Sequence, residues 1–359
     1  MTQLPTKMKA MRLTGHGDLD RLEWREDVPV PRPGPREVLI RVLASAVNNT
    51  DVNTRIAWYS KAVRGDTATG AGSGFANADS RDSSWAGAAI AFPRIQGADC
   101  CGTIVAVGDH VEDSRLGERV IVRALQPVRS GAPFTCETFG SEKDGGFAEY
   151  ATADARDALA VDCDWTDLEL ASIPCAYSTA EGMLQRAQVG AERVLVTGAS
   201  GGVGSAAVQL ARRRGADVTA MTSGAKASAV RELGARRTLD RDDPIEAQDY
   251  DVVVDLVAGP RWPDLIDALR PGGRYVTAGA IAGPIVELDV RTLYLRDLTL
   301  YGSTFQPDNI MTDLVRYIED GEIRPLIAAV YPLVELKAAQ KAFLEKQYVG
   351  KIAIQVAEH

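Results

Sequence analysis

The chain has 359 residues, 45% of them apolar and 25% charged, a length and composition that suit two ordinary domain cores and exclude a small disulfide-stapled module. With 40 Lys and Arg against 49 Asp and Glu the net charge is -9, the wrong sign for a general phosphate-backbone binder, so nucleic acid is not the expected partner. No apolar run approaches a membrane span, no export signal follows Lys7, Lys9 and Arg12, and the five cysteines include no Cys-x-x-Cys pair; the expectation is a cytoplasmic protein with reduced thiols and no membrane insertion.

In chain order, residues 9–13 and 38–43 read as strands on either side of the Pro-rich turn at 29–35. Segment 60–90 changes to Gly, Ala, Ser and Asp, with Phe75 and Trp85 as its large apolar anchors; it reads either as a lid or as a loose surface insertion. Strand-and-turn texture resumes from 95 to 150. After Val161 strands at 193–197, 217–221, 251–256 and 274–278 alternate with helices at 203–214, 226–233 and 262–269. Continuous Val, Leu and Ile strands with helices between them specify the α/β class, a doubly wound parallel sheet covered on both faces. Amphipathic helices near 311–320 and 336–346 and a strand at 351–356 close the chain.

The strand at 193–197 runs into GASGGVG at 198–204 and then directly into a helix. Its glycines let the chain turn tightly and bring the backbone N–H groups of Ser200, Gly201, Gly202 and Val203 up to a pyrophosphate, whose charge a helix N-terminus favours. At the end of the second strand an NAD-selective site holds an acid for the ribose. Here stands MTSGAK at 221–226, without a carboxylate. Ser223 and Lys226, with Arg241 after the next strand, can hydrogen-bond and neutralise a 2′-phosphate, so NADP is the expected cofactor.

Taken together, VNNTD at 47–51, GADCCG at 97–102 followed by VAVG at 105–108, LGERV at 116–120, GGFAEY at 145–150, STA at 178–180, the 198–204 loop, LRPGG at 269–273 and the final Gly350-Lys351 make the chain resemble a medium-chain dehydrogenase/reductase, on the quinone oxidoreductase and enoyl-reductase side of that superfamily. The resemblance implies a GroES-like β-rich catalytic domain from 1–160 and 301–359, with 60–90 as an insertion, a Rossmann domain over 161–300, and an active site in the cleft. It also implies a homodimer in which LTLYG at 298–302 pairs across the two-fold axis.

Alcohol-oxidising members of that superfamily hold a catalytic zinc with a Cys, a His and a later Cys or Asp. The matching places here hold Asn48, Ala98 and Cys175, and 126–146 contains Cys136 alone where a structural zinc lobe has four cysteines. One soft ligand is short of the roughly three that zinc needs, so no metal is expected. Without a Lewis acid the suitable acceptors are a quinone, an α,β-unsaturated carbonyl or a related activated carbonyl, whose conjugation spreads the incoming charge.

At the reaction side, Asn48 is the candidate donor to a substrate carbonyl or to the nicotinamide ribose. Asp51 either joins the chemistry or organises its loop through an Asx-type hydrogen bond. Tyr59 is the nearest phenol by sequence, a candidate proton donor or stacking residue, because relatives carry a tyrosine where this chain has Asn53. By resemblance Thr179 and Lys351 lie near the cofactor, and Cys175 reads as a packing thiol. His16, His110 and His359 fall outside every cleft motif. A zinc-dependent alcohol dehydrogenase and an NADPH-binding sensor or structural protein with little turnover remain the alternative readings.

Overall fold

The computed structural model describes residues 4–128 and 131–357; His359 lies outside them. The β-rich half joins both ends of the chain. Strand Glu37–Ala46 is its centre, pairing antiparallel with Cys101–Val107, Tyr150–Asp154 and the late strand Lys351–Gln355 in a seven-stranded sheet. A second sheet of three strands sets Lys7–Leu13 between Leu22–Pro29 and Arg94–Ile95. Alternating burial in Tyr150–Asp154 and continuous burial through most of Glu37–Ala46 reflect an outer and a central position.

The second half is a six-stranded parallel sheet in the order Arg237–Leu239, Asp217–Met221, Arg193–Val196, Tyr250–Asp255, Leu269–Thr277, Thr299–Gly302. Every residue of Tyr250–Asp255 is buried, as the continuous apolar run predicts for a strand covered on both faces. The strand order reverses between Arg193–Val196 and Tyr250–Asp255, which opens a crevice at their carboxyl ends. Asp255 fixes that crevice: its fully buried carboxylate accepts from Thr197 Oγ1 (2.5 Å), Tyr275 OH (2.6 Å) and Val257 N (2.9 Å). No helix among the described residues is long and apolar enough to cross a membrane.

A longer helix and an edge strand are among the elements that escape the periodicity reading. Helix Pro174–Arg186 carries Pro at its first position, a start signal hidden by the absence of a polar cap. Strand Ile327–Pro332 lies at the sheet edge, its residues alternating between half-buried and exposed, so it shows little of the apolar content of a core strand.

Segment 60–90 is packed rather than loose. Helix Thr67–Gly70 is capped by Asp66, whose carboxylate accepts from Thr69 N at 2.7 Å. The Phe75 ring presses on Gly70, where an added Cβ would sit 2.1 Å from it. Arg55, fully buried, ties this segment to its surroundings by donating to Gly17 O (2.7 Å), Gln340 Oε1 (3.0 Å) and Ala71 O (3.4 Å). His16, whose pKa burial lowers, donates from Nδ1 to Thr54 O (2.9 Å) and meets Ser83 Oγ at Nε2 (2.7 Å). On the far side Thr67 N donates to Ile281 O at 3.1 Å, so the insertion reaches from the β-rich half to the parallel-sheet half.

Candidate active site

The loop after strand Arg193–Val196 has the shape a pyrophosphate needs. Gly198 takes φ +57°, and Gly201 N donates back to Gly198 O at 3.0 Å, a turn that suits glycine alone at its first position. A Cβ on Gly204 would lie 2.2 Å from Gly198 O, so close packing of helix Gly202–Arg213 on its strand demands a hydrogen there. A Cβ on Gly201 would meet only that same oxygen at 3.4 Å, which leaves the outer side of the turn clear for a ligand. These residues fit a dinucleotide, with Ser200, Gly201, Gly202 and Val203 at the helix entrance.

The terminal Gly350-Lys351 pair is docked on this loop. Gly350 N donates to Ser200 O at 2.9 Å, and a Cβ on Gly202 would strike Lys351 Cδ at 2.8 Å. The Lys351 ammonium is almost fully buried, with its three hydrogens directed at Asp99 Oδ2 (2.8 Å), Val47 O (3.3 Å) and Asn48 Oδ1. Asp99, fully buried, also accepts from Asn48 Nδ2 (2.8 Å) and, through Oδ1, from Cys175 N (2.7 Å). Asn48 Nδ2 donates again to Ala46 O at 3.2 Å, so both of its amide hydrogens are taken.

Asp51 stands behind Asn48 as the acidic half of a capping box for helix Asn49–Arg55. Its carboxylate accepts from Asn48 N (2.8 Å), Gly97 N (3.2 Å) and Ala98 N (3.3 Å). Burial pushes its pKa up to about 7, against the pull of those backbone donors. The segments carrying Asn48 and Asp99 are thereby locked together.

This donor set does not fit zinc. Asn48, Ala98 and Cys175 supply one thiol, which burial and then the nearby Asp99 charge hold well above its ordinary pKa. Asp99 is already bound to an ammonium. Among the described residues no three His, Cys, Asp or Glu side chains converge on a point.

Beside the network opens a cavity of about 760 Å³, walled by Trp58, Tyr59, Trp85, Phe134, Arg186 and Phe305 and floored by the ends of strands Leu269–Thr277 and Thr299–Gly302. Of the three candidate reaction-side residues, Tyr59 lines this cavity; Asn48 and Asp51 do not. The Tyr59 ring packs edge-on to Trp85 (centroids 5.0 Å apart) and Trp58 (5.7 Å), and its hydroxyl donates to Thr50 Oγ1 at 3.1 Å. Burial raises its pKa, so it stands as a phenol able to donate. Asn53 lies buried nearby and accepts from Thr67 Oγ1 at 3.1 Å. Thr179, half-buried, donates to Cys175 O at 2.7 Å. Thr50, Arg186 and Phe305 were not singled out by sequence; they come from separate elements with no shared local pattern.

The other end of the crevice, over strands Asp217–Met221 and Arg237–Leu239, holds a pocket of about 410 Å³ lined by Thr222, Gly224, Ser228, Arg231, Thr238 and Asp240 among others. Thr222 Oγ1 is buried there without a hydrogen-bond partner among the described residues. Lys226 donates to Lys346 O, and Lys346 Nζ lies 3.0 Å from Asn49 Oδ1 and 3.8 Å from the centre of the Phe343 ring. Lys346 is exposed as a residue, yet loss of solvation, with the Lys226 charge, lowers its pKa to about 8. Desolvation and then the Arg241 charge lower that of Lys226. Ser223 caps the short turn Gly224–Lys226 without a side-chain cap bond. Asp240 accepts from Gly224 N (2.8 Å) and Arg241 N (2.7 Å), which lower its pKa. Lys346 and Arg231 are the cations missed by sequence, the first because it reads as an ordinary helix-end lysine.

Residues 34–162 match the alcohol dehydrogenase GroES-like domain family, and residues 202–320 the zinc-binding dehydrogenase family. A solved structure from Sinorhizobium meliloti 1021, designated an alcohol dehydrogenase, is 45% identical, with TM-score 0.88 over 99% of this chain and 98% of that one. The quinone oxidoreductase of Sus scrofa is 31% identical over 93% of this chain and 92% of its own length. The acryloyl-coenzyme A reductase of Metallosphaera sedula is 28% identical over 97% of this chain and 99% of its own. With the parallel sheet, the glycine loop and these matches along its length, the chain belongs to the medium-chain dehydrogenase/reductase superfamily of oxidoreductases, which use NAD or NADP.

Proposed function

We propose that this protein is an NADPH-dependent reductase that passes a hydride to a quinone, an enone or another activated carbonyl without zinc. The observation that carries the reading is the buried Lys351 ammonium between Asn48 and Asp99, a fixed cation among the positions where zinc-dependent relatives are expected to ligate metal. A quinone oxidoreductase and an acryloyl-coenzyme A reductase among the relatives support acceptors whose conjugation absorbs charge. When bound, the dinucleotide supplies the hydride. Turned away from Thr50, the Tyr59 hydroxyl would donate a hydrogen bond to the acceptor oxygen, with the proton coming from solvent. Asn48 and Asp51 are positioning residues that hold the cleft segment, and Thr179 and Lys351 border the nicotinamide end.

NADP preference is our reading of Ser223, Lys226, Arg241 and the added Lys346, groups that could pair with a 2′-phosphate; they border rather than line the adenosine-end pocket, which Arg231 and the carboxylate of Asp240 do line. Because desolvation and the Lys226 charge lower the Lys346 pKa to about 8, a 2′-phosphate held by Lys346 would be bound less well as pH rises through 8. A single assay tests both claims: cofactor oxidation with quinones and enones, run with NADPH and NADH, with and without chelator, from pH 6 to 10. The expected outcome is chelator-resistant turnover with NADPH preferred, and a KM for NADPH that rises above about pH 8 while that for NADH stays flat. Stoichiometric zinc in protein purified without added metal, with alcohol oxidation lost to chelator, overturns the metal-free reading. Tight NADPH binding with no turnover across the panel moves the sensor reading ahead.

A homodimer belongs to the same proposal. Strand Thr299–Gly302 ends the parallel sheet, and Val290, Tyr294 and Leu295 beside it are 59%, 61% and 71% exposed, an apolar patch next to an open edge. Sedimentation of the wild type is expected to give twice the chain mass, and Leu295→Asp to shift it toward the monomer.

A further inference from the structure

We infer that the acceptor carries an anionic group, a carboxylate in the first instance, and that Arg186 reads it. This rests on the reductase reading and names its substrate class. Arg186 ends helix Pro174–Arg186 and lines the aromatic cavity. Its guanidinium lies 5.8 Å from the centre of the Phe134 ring, and one nitrogen donates to Phe305 O at 3.3 Å. Among the described residues no carboxylate pairs with it, whereas most arginines of this arginine-rich chain are so paired; Arg123, Arg193, Arg214 and Arg274 meet Asp308, Asp249, Glu181 and Glu192. A guanidinium has five N–H donors in a planar fork, and four of these are left for a ligand.

The surroundings decide what that ligand looks like. Phe134 and Phe305 pack edge-on at 5.4 Å beside Arg186 and share the cavity lining with Trp58, Tyr59 and Trp85. The space between is suited to a flat, conjugated body. A guanidinium at its rim matches a carboxylate bidentately, or a phosphate with the same geometry. The acceptor is therefore a planar enone or quinone with its reducible carbon toward Tyr59 and the sheet ends, and its charge toward Arg186.

The test compares cinnamaldehyde with 4-carboxycinnamaldehyde, the same conjugated enal with and without one carboxylate, and adds cinnamoyl-coenzyme A to separate an acceptor carboxylate from a nucleotide phosphate. Binding to the NADP-loaded protein is read by tryptophan quenching, and turnover by NADPH oxidation. The wild type is expected to favour the carboxylate form by roughly 10- to 100-fold, the range for a charge-assisted hydrogen bond. Arg186→Gln removes that preference with the neutral enal and NADPH bound within about threefold of wild type, and Arg186→Lys restores part of it. Preference for the coenzyme A thioester alone, lost in Arg186→Gln, assigns the charge to phosphate. Equal loss for charged and neutral enals, or no preference in the wild type, overturns the inference. A preference seen in binding without any NADPH oxidation leaves the anion site standing and removes the reductase reading; turnover of the neutral enal without preference does the reverse.

Discussion

Lys351→Met is expected to lower the stability of the folded chain by about 3–5 kcal/mol, the range for removing one partner of a buried ion pair. The substitution keeps the stem over Gly202 but leaves Asp99, which is fully buried, without its counter-charge and Asn48 Oδ1 without its donor. Most of the loss is the cost of a stranded carboxylate rather than the worth of the pair. Asp99→Asn in the same chain is therefore expected to recover part of it, since the amide oxygen still accepts from Cys175 N while no net charge remains to be solvated. Urea unfolding of the two single variants and the double variant measures this directly. If the loss in the double variant equals the sum of the two single losses, Lys351 and Asp99 are not coupled and the network is not what holds the cleft.

The second large effect separates two glycines three residues apart. Gly204→Ala is expected to damage both folding and dinucleotide binding, because the new methyl must share space with Gly198 O at 2.2 Å and Ala199 Cα at 2.7 Å. Overpacking against backbone costs about 1–3 kcal/mol. Gly201→Ala meets only one ordinary contact, 3.4 Å from Gly198 O, at a φ of -76°. Its unfolding midpoint should stay near wild type, while its Kd for NADP rises roughly 10- to 100-fold as the methyl crowds the pyrophosphate. Calorimetric titration beside thermal unfolding reads the contrast. Equal Kd for wild type and Gly201→Ala would place the phosphate elsewhere.

The glycine loop was legible because its chemistry is local: one strand, one turn and one helix carry all of it in seven consecutive residues. The β/α alternation was legible for the same reason, each element declaring its own period. The cavity was not, apart from Tyr59. Trp58, Phe134, Arg186 and Phe305 meet only after the chain has folded back several times, and none sits in a pattern that distinguishes it from ordinary packing. Asn48 and Asp51 show a different limit. Sequence position puts them at the cleft, but the fold engages them with Lys351, Asp99 and three backbone N–H groups that no local pattern announces.

The hydrogen bond from Thr67 N to Ile281 O has a consequence for traffic through the molecule. The insertion is rooted on one bank by Arg55 and His16 and reaches the other bank through that bond. A net worth of about 0.5–1.5 kcal/mol makes such a bond a catch that thermal motion lifts often. The pocket over strands Asp217–Met221 and Arg237–Leu239 has no wall from segment 60–90. If acceptor enters by the aromatic cavity and the adenosine end lies over that pocket, as proposed above, movement of segment 60–90 would control the first entrance and leave the second open.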